Sequence, residues 1–219
     1  MALAKLQRHL EKLYDVSVGH DVEDFLIHDA GLSRRLENNP AARVIPEKLL
    51  VHETDESLDI ALFLEKELVE RLRQDDPTER LHAGNLADFL TALEGVSHFL
   101  YLVWSAGYDR RVSLFELELQ AEIDKFILAA ILLARDENGR VPPELHRILF
   151  DEALLDPGID AELYERYRTA NAYARRYCGW LQRRFMTDRH EAGMMSELRR
   201  FYRLGQHEKM SRIHHNSMH

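Results

Sequence analysis

Residues 85–134 hold two long apolar runs joined by a short polar segment, and no other feature limits the fold of this chain as strongly. In the first run Phe89, Leu93, Val96, Leu100 and Val103 recur at spacings of three and four. Ala92, Phe99, Leu102 and Trp104 extend the apolar surface nearly around the cylinder. A helix that is apolar on most of its circumference must be enclosed by other elements. Asn85 is placed to cap its first turn, Asp88 adds negative charge there, and the run ends near Ala106. The second run opens with Ser113 and Glu116, the reciprocal pair of a capping box. It continues to about Arg135, where residues 136–139 and Pro142–Pro143 stop it. The connection at 107–113 is short enough to favour antiparallel neighbours.

Both helices carry ionisable residues that a purely structural core does not need. At about 100° per residue, Glu94, Ser97, His98, Tyr101 and Ser105 project within one sector of the first helix. On the second, Glu118, Glu122 and Lys125 share one side and Glu116, Gln120 and Asp124 the opposite side, and one of the two is expected to face water. Antiparallel pairing brings His98 level with Glu118 and Glu122, and Glu94 level with Glu122 and Lys125. Carboxylates and neutral imidazole are donors for divalent metals, and facing helices can project them inward, so Glu94, His98, Glu118 and Glu122 are the metal-ligand candidates, with Tyr101 as a supporting donor. The grouping resembles the ferritin-like carboxylate arrangement only in outline. That family uses Glu-x-x-His, whereas three residues separate Glu94 from His98 and no second Glu/His pair completes the set. The same six residues, Glu94, His98, Tyr101, Glu118, Glu122 and Lys125, could instead line a pocket for a small organic ligand. The favoured reading is a closed network that fixes helix register, pairing Glu94 with Lys125, His98 with Glu122 and Tyr101 with Glu118.

Composition sets the wider bounds. The chain of 219 residues is 45% apolar and 31% charged, enough to bury a sizeable core. No uninterrupted apolar run approaches the roughly 20 residues of a bilayer span, and residues 2–14 read as an amphipathic docking helix instead of a signal peptide. A cytoplasmic protein without membrane contact is expected. Cys178, the only cysteine, rules out an intrachain disulfide and a thiolate zinc cluster and is read as a packing residue. The net charge of −9 is uneven, since residues 175–213 carry ten Lys or Arg against four Asp or Glu, leaving 19 against 34 in residues 1–174.

The N-terminal third predicts a small α+β part. A short strand is expected near 24–28, a helix at 32–37 and a loop at 38–40. Residues 48–53 and 58–64 then predict a β-hairpin, because Leu58, Ile60, Leu62 and Leu64 alternate as a half-buried strand requires. The rival is one helix over 57–73, since Leu58, Ala61, Leu62, Val69 and Leu72 also share a face; the hairpin is preferred, with helix starting near Glu65. The subdomain boundary falls at 77. His20, His28, His52 and His82 fit no ligand spacing and are read as exposed or hydrogen-bonded side chains.

Beyond the central pair, a short helix is expected from Pro142 to Phe150, a break at 156–158, and a long helix at 160–186 with Leu163, Tyr167, Ala170, Ala174, Tyr177, Leu181 and Phe185 in its stripe. A last helix at 191–204 closes on a left-handed Gly205. Arg199, Arg200 and Arg203 alternate there with Phe201 and Tyr202. They are the partner-binding candidates, either for a protein or, less favoured at this net charge, for nucleic acid. Residues 214–219 are expected to be a disordered tail. The sequence contains no phosphate loop, dinucleotide glycine fingerprint, nucleophile elbow or His-Glu-x-x-His.

The expected fold is therefore α+β and predominantly α, with a hairpin-containing part at 1–77 and a helical bundle at 78–213. The leading functional expectation is a non-catalytic cytoplasmic binding or adaptor protein oriented by its charge asymmetry. The alternatives are a metal-dependent enzyme or metal carrier using a divalent ion, and a bundle that binds a small ligand.

Overall fold

The computed structural model describes residues 2–37, 45–54, 57–136, 140–151, 161–186 and 191–216. Helix α1 (Ala2–Tyr14) buries Leu3, Leu6, Leu10 and Leu13, as its spacing predicts. Gln7, on the same face, donates to the carbonyl of His20 and accepts from the amide of Val22, which folds the following loop back onto the helix. Asp21 then caps a 3-10 turn at Val22–Phe25, so the strand expected at 24–28 is reduced to β1 (Leu26–Ile27). Helix α2 (Ala30–Leu36) begins earlier than periodicity suggests because Asp29 accepts from the amides of Gly31 and Leu32.

Strands β2 (Glu47–Glu53) and β3 (Leu58–Leu64) form the expected antiparallel hairpin, with Glu47 opposite Leu64 and Glu53 opposite Leu58. β1 joins parallel to β3, giving the order β1-β3-β2. The inward residues Leu62 and Leu64 are fully buried, the return that makes strand better than helix here. Helix α3 (Lys66–Gln74) follows directly.

The central pair is α4 (Leu86–Ala106) and α5 (Leu114–Asp136). Ser113 and Glu116 make both bonds of the capping box, Glu116 N–H to Ser113 Oγ at 3.1 Å and Ser113 N–H to Glu116 Oε2 at 3.3 Å. Asn85 does not cap α4: its carbonyl oxygen accepts from the amide of His82 and its amide donates to Asp75 and to the Arg80 carbonyl, so it braces the preceding loop. By length and composition α4 is apolar enough to cross a bilayer, and in this fold it packs against α1, α3, α5 and the hairpin. Helix α6 (Leu145–Phe150) and helix α7 (Ala161–Leu181) cover α5, and α7 ends in a π-helical turn, Gln182–Met186.

Helix α8 (Glu191–Tyr202) stops before Gly205, which does not take the expected left-handed conformation. Gly205 instead opens a further helix, α9 (Gln206–Asn216): its carbonyl accepts from Lys209 and its amide donates to Glu208. Residues 214–216 of the expected tail are thus helical, and His214 bonds the hydroxyl of Tyr173 at 2.9 Å. The loops expected at 38–40 and 156–158, and the stop at 137–139, lie outside the described residues. One hydrophobic cluster runs through both parts of the chain, from Leu3 and Leu6 of α1 through Leu62 and Leu64 of β3 to Phe126 of α5 and Ile213 of α9.

Candidate metal centre

α4 and α5 bring together what the sequence placed at one level, with one of the three expected pairs formed. Single donor atoms from Glu94, His98 and Glu118 lie within 4.8 Å of one another. His98 Nε2 faces Glu118 Oε2 at 3.6 Å, where Glu122 was expected. Glu122 instead bonds Lys125 at 2.8 Å, and Lys125 reaches across to Glu94 at 2.6 Å, so that one predicted pair forms. Tyr101 points away from Glu118 and donates to Glu116.

A fourth carboxylate comes from the hairpin. Glu47, first residue of β2, presents Oε1 at 3.9 Å from His98 Nδ1, on the opposite ring nitrogen from Glu118. Gly95 makes this approach feasible: a Cβ there would stand 2.8 Å from Leu62 Cδ1 and 3.0 Å from Glu47 Cγ and Oε1. Sequence reasoning missed Glu47 because strand periodicity does not tell which helix a strand lies on. The available signal was Gly95, a glycine inside an apolar helix, which marks a close approach.

Burial and charge act against each other in this cluster. His98 is 7% exposed and Glu47 8%. Burial pushes the Glu47 carboxyl up, with the Glu94 charge adding to it, to about 8. Burial pulls His98 down, but Glu118, Glu47 and Glu94 outweigh it and hold the imidazole at about 9. Burial also opposes the charges of Glu94 and Lys125; Lys125 and then His98 overcome it for Glu94, and Glu122 and then Glu94 overcome it for Lys125, lowering Glu94 and raising Lys125. Tyr167 of α7 belongs to the same surroundings, since burial and then Glu118, Glu94 and Glu47 raise its phenol. Among the described residues, His98 Nε2 and Glu47 Oε1 have no hydrogen-bond partner. Leaving such atoms buried and unpaired costs about 1–3 kcal/mol each, more when charged.

The other polar side of α5 does not face water either. Glu116, Gln120 and Asp124 are buried in a second network, closed by residues from both ends of the chain. Asp124 accepts from Tyr14 of α1, from Gln120 and from Ser97 of α4. Lys209 of α9, fully buried, donates to Gln120 and to Tyr101, each at 2.8 Å. Arg110 donates to Tyr101, Glu116 and the Leu204 carbonyl. The polar sector of α4 is thus divided, with Glu94 and His98 serving one cluster and Ser97 and Tyr101 the other.

Two of the partner-binding candidates are occupied within the fold. Arg199 donates to the carbonyls of Leu13 and Lys12, and Arg203 to those of Tyr14 and Asp15, so both close the C-terminus of α1. Arg200 is exposed. His28 bonds the Leu64 carbonyl, His82 pairs with Asp75, His20 packs edge-on against Phe25 and His52 is exposed, and none of them is among the converging donors. Cys178 is buried, and burial raises its thiol well above the ordinary range, which suits packing and not nucleophilic attack. No protein-family model, curated protein or solved structure matches this chain.

Proposed function

We propose that this protein binds one divalent first-row transition-metal ion through Glu94, His98 Nε2 and Glu118, with Glu47 orienting His98 through Nδ1. The observation that carries the reading is a pair of buried atoms without a hydrogen-bond partner among the described residues, His98 Nε2 and Glu47 Oε1, beside donor atoms of Glu94, His98 and Glu118 that already converge within 4.8 Å. An ion on Nε2 removes the first deficit directly. Binding also leaves a neutral imidazole that donates Nδ1–H to Glu47, the carboxylate–histidine–metal relay that commonly supports such ligands. One imidazole and two carboxylates suit zinc, manganese or ferrous iron.

Three protein ligands leave a coordination position for water or a substrate, the arrangement of catalytic more than structural sites. Glu94, with about a fifth of its side chain exposed, is the edge through which solvent reaches that position. Lys125 and Tyr167 flank it as a cation and a hydrogen-bond donor, which suits hydrolytic or oxidative chemistry on a small anionic substrate.

The test is titration of the metal-stripped full chain with Co(II) and Zn(II), followed by visible absorption and by elemental mass spectrometry after desalting. One ion per chain is expected, lost in His98→Gln and in Glu118→Gln, which keep volume and leave the circular dichroism spectrum unchanged. A variant lacking His207, His214 and His215 should bind as wild type does. Stoichiometric metal retained by the folded His98→Gln/Glu118→Gln double variant would overturn the assignment, as would folded wild type that binds none.

A further inference from the structure

On the side of α5 that meets His98, polar residues recur at helical spacing as Glu118, Glu122 and Lys125, and α4 sets His98 and Glu94 against them. Two tiers result. In one, His98 stands between Glu118 at 3.6 Å and Glu47 at 3.9 Å. In the other, Lys125 Nζ stands between Glu94 of α4 at 2.6 Å and Glu122 of α5 at 2.8 Å. Glu94 belongs to both tiers, because its carboxylate also converges with His98 and Glu118 within 4.8 Å. A carboxylate has two oxygens and can face a cation with each.

The tiers differ in how far their polar atoms are satisfied. In the first, His98 Nε2 and Glu47 Oε1, on residues 7% and 8% exposed, have no hydrogen-bond partner among the described residues. In the second the ammonium of Lys125 meets both carboxylates. Its charge also acts on Glu47 and Tyr167, opposing the rise that burial and the neighbouring carboxylates cause there. Four carboxylates, those of Glu47, Glu94, Glu118 and Glu122, thus gather around Lys125 and the His98 ring. Two-metal centres hold a second divalent ion about 3.5–4 Å from the first, where shared ligands reach both. An ammonium between Glu94 and Glu122 supplies a compact positive charge at the corresponding place. Unlike an ion, it is tethered to the chain and cannot exchange with solution.

We infer that Lys125 stands in for a second metal ion: it occupies Glu94 and Glu122 and limits the centre to one divalent ion. The inference rests on the metal reading of Glu94, His98 and Glu118 proposed above. It makes Lys125 a specificity-determining residue and assigns Glu122 to the lysine and not to the ion.

The full chain, loaded with Co(II) or Mn(II) and desalted, is assayed by elemental mass spectrometry. Wild type should retain one ion, Lys125→Met two, and Lys125→Arg, which keeps the charge, one. In Lys125→Met the isolated Mn(II) paramagnetic resonance signal of wild type should give way to that of a coupled pair, because Glu94 then bridges the ions. Without metal this variant should melt below wild type, since Glu94 and Glu122 are left as buried, unpaired like charges, and Co(II) should raise its Tm by more than it raises that of wild type. Lys125→Gln is the second neutral variant, with the same gain expected, for use where methionine does not fold. Adding Glu122→Gln to Lys125→Met should return the count to one, and Glu122→Gln alone should keep one ion. A folded neutral variant of Lys125 that retains a single ion would overturn the inference, as would wild type that retains two or folded Glu122→Gln that retains none. Wild type that retains no ion defeats the metal reading and this inference together, so the wild-type count tells the two failures apart.

Discussion

Replacing Lys209 by Met should stabilise the protein near neutral pH and stop doing so in alkali. The ammonium is fully buried, and burial lowers it from 10.5 to about 7 against the opposing charge of Glu116, with Arg110 lowering it further and Asp124 raising it. Its remaining surroundings are the hydroxyl of Tyr101, the amide of Gln120 and the rings of Phe201 and Tyr202. Between about pH 7 and 10.5 the unfolded chain therefore holds one more proton than the folded one, and stability rises with pH across that window. At about 1.4 kcal/mol per pH unit, the cost of the buried charge is about 4 kcal/mol near pH 7 and falls by about 3–4 kcal/mol by pH 10. Methionine removes this cost but leaves Gln120 Oε1 without its donor, at about 1–3 kcal/mol, while Tyr101 keeps Arg110 and Glu116. The variant should thus be more stable than wild type by about 1–3 kcal/mol near pH 7, with the difference vanishing or reversing near pH 10. Urea unfolding of both proteins, followed by circular dichroism at intervals over that range, measures it; starting at pH 7 keeps clear of Asp124, held at about 6. Parallel stability curves, with the variant equally displaced at every pH, would refute the claim that Lys209 loses its proton inside the fold.

Asp124→Asn should act in the opposite sense and lower window. Burial raises Asp124 to about 6 despite bonds from Ser97, Tyr14 and Gln120, so wild-type stability should fall as pH rises from about 4 to about 6, and the asparagine variant should lose that slope in the same assay. Gly95→Ala puts a methyl 2.8 Å from Leu62 and 3.0 Å from Glu47, and should cost about 1–3 kcal/mol in thermal melts. It should also weaken cobalt binding by moving Glu47 off His98. Glu47→Gln should keep metal stoichiometry and lower affinity about 10–100-fold, read by competition with a chromophoric chelator. Arg203→Ala strips donors from the Tyr14 and Asp15 carbonyls and should destabilise by about 1–3 kcal/mol, with lysine at 203 restoring only part of the loss.

The elements that local chemistry dictates were legible in the sequence: the alternation at 58–64, the reciprocal bonds of Ser113 and Glu116, the leucine stripe of α1 and the apolar cylinder of α4. What was hidden depends on distant partners. Glu94 and His98 share one face of α4, and Ser97 and Tyr101 share one turned by a fraction of a circumference. A helical wheel shows one polar sector where two neighbours each claim half. The Glu116, Gln120 and Asp124 side of α5 is buried where α9 supplies Lys209, and α9 carries too few apolar residues, chiefly Met210 and Ile213, to announce itself by periodicity. Arg199 and Arg203 look like free surface charge until the end of α1 arrives beneath them with unpaired carbonyls. Glu47 enters the centre through a hairpin whose docking position no local pattern encodes.

The second polar network also orders events during synthesis. Tyr14 emerges early, Ser97, Gln120 and Asp124 midway, and Lys209 about a hundred residues after Tyr101, yet all five meet at one point. Until α8 and then α9 have left the ribosome, the arginine clamp on α1 and the Lys209 donor to Gln120 are absent in turn, so the nascent chain holds a helix pair whose interior is unfinished. Contacts this far apart in sequence slow closure and lengthen exposure of the apolar α4 surface. Helix α9 therefore works as a latch, and a chain interrupted before Lys209 should be handled by chaperones and proteases as an incomplete one, however much of its core it already carries.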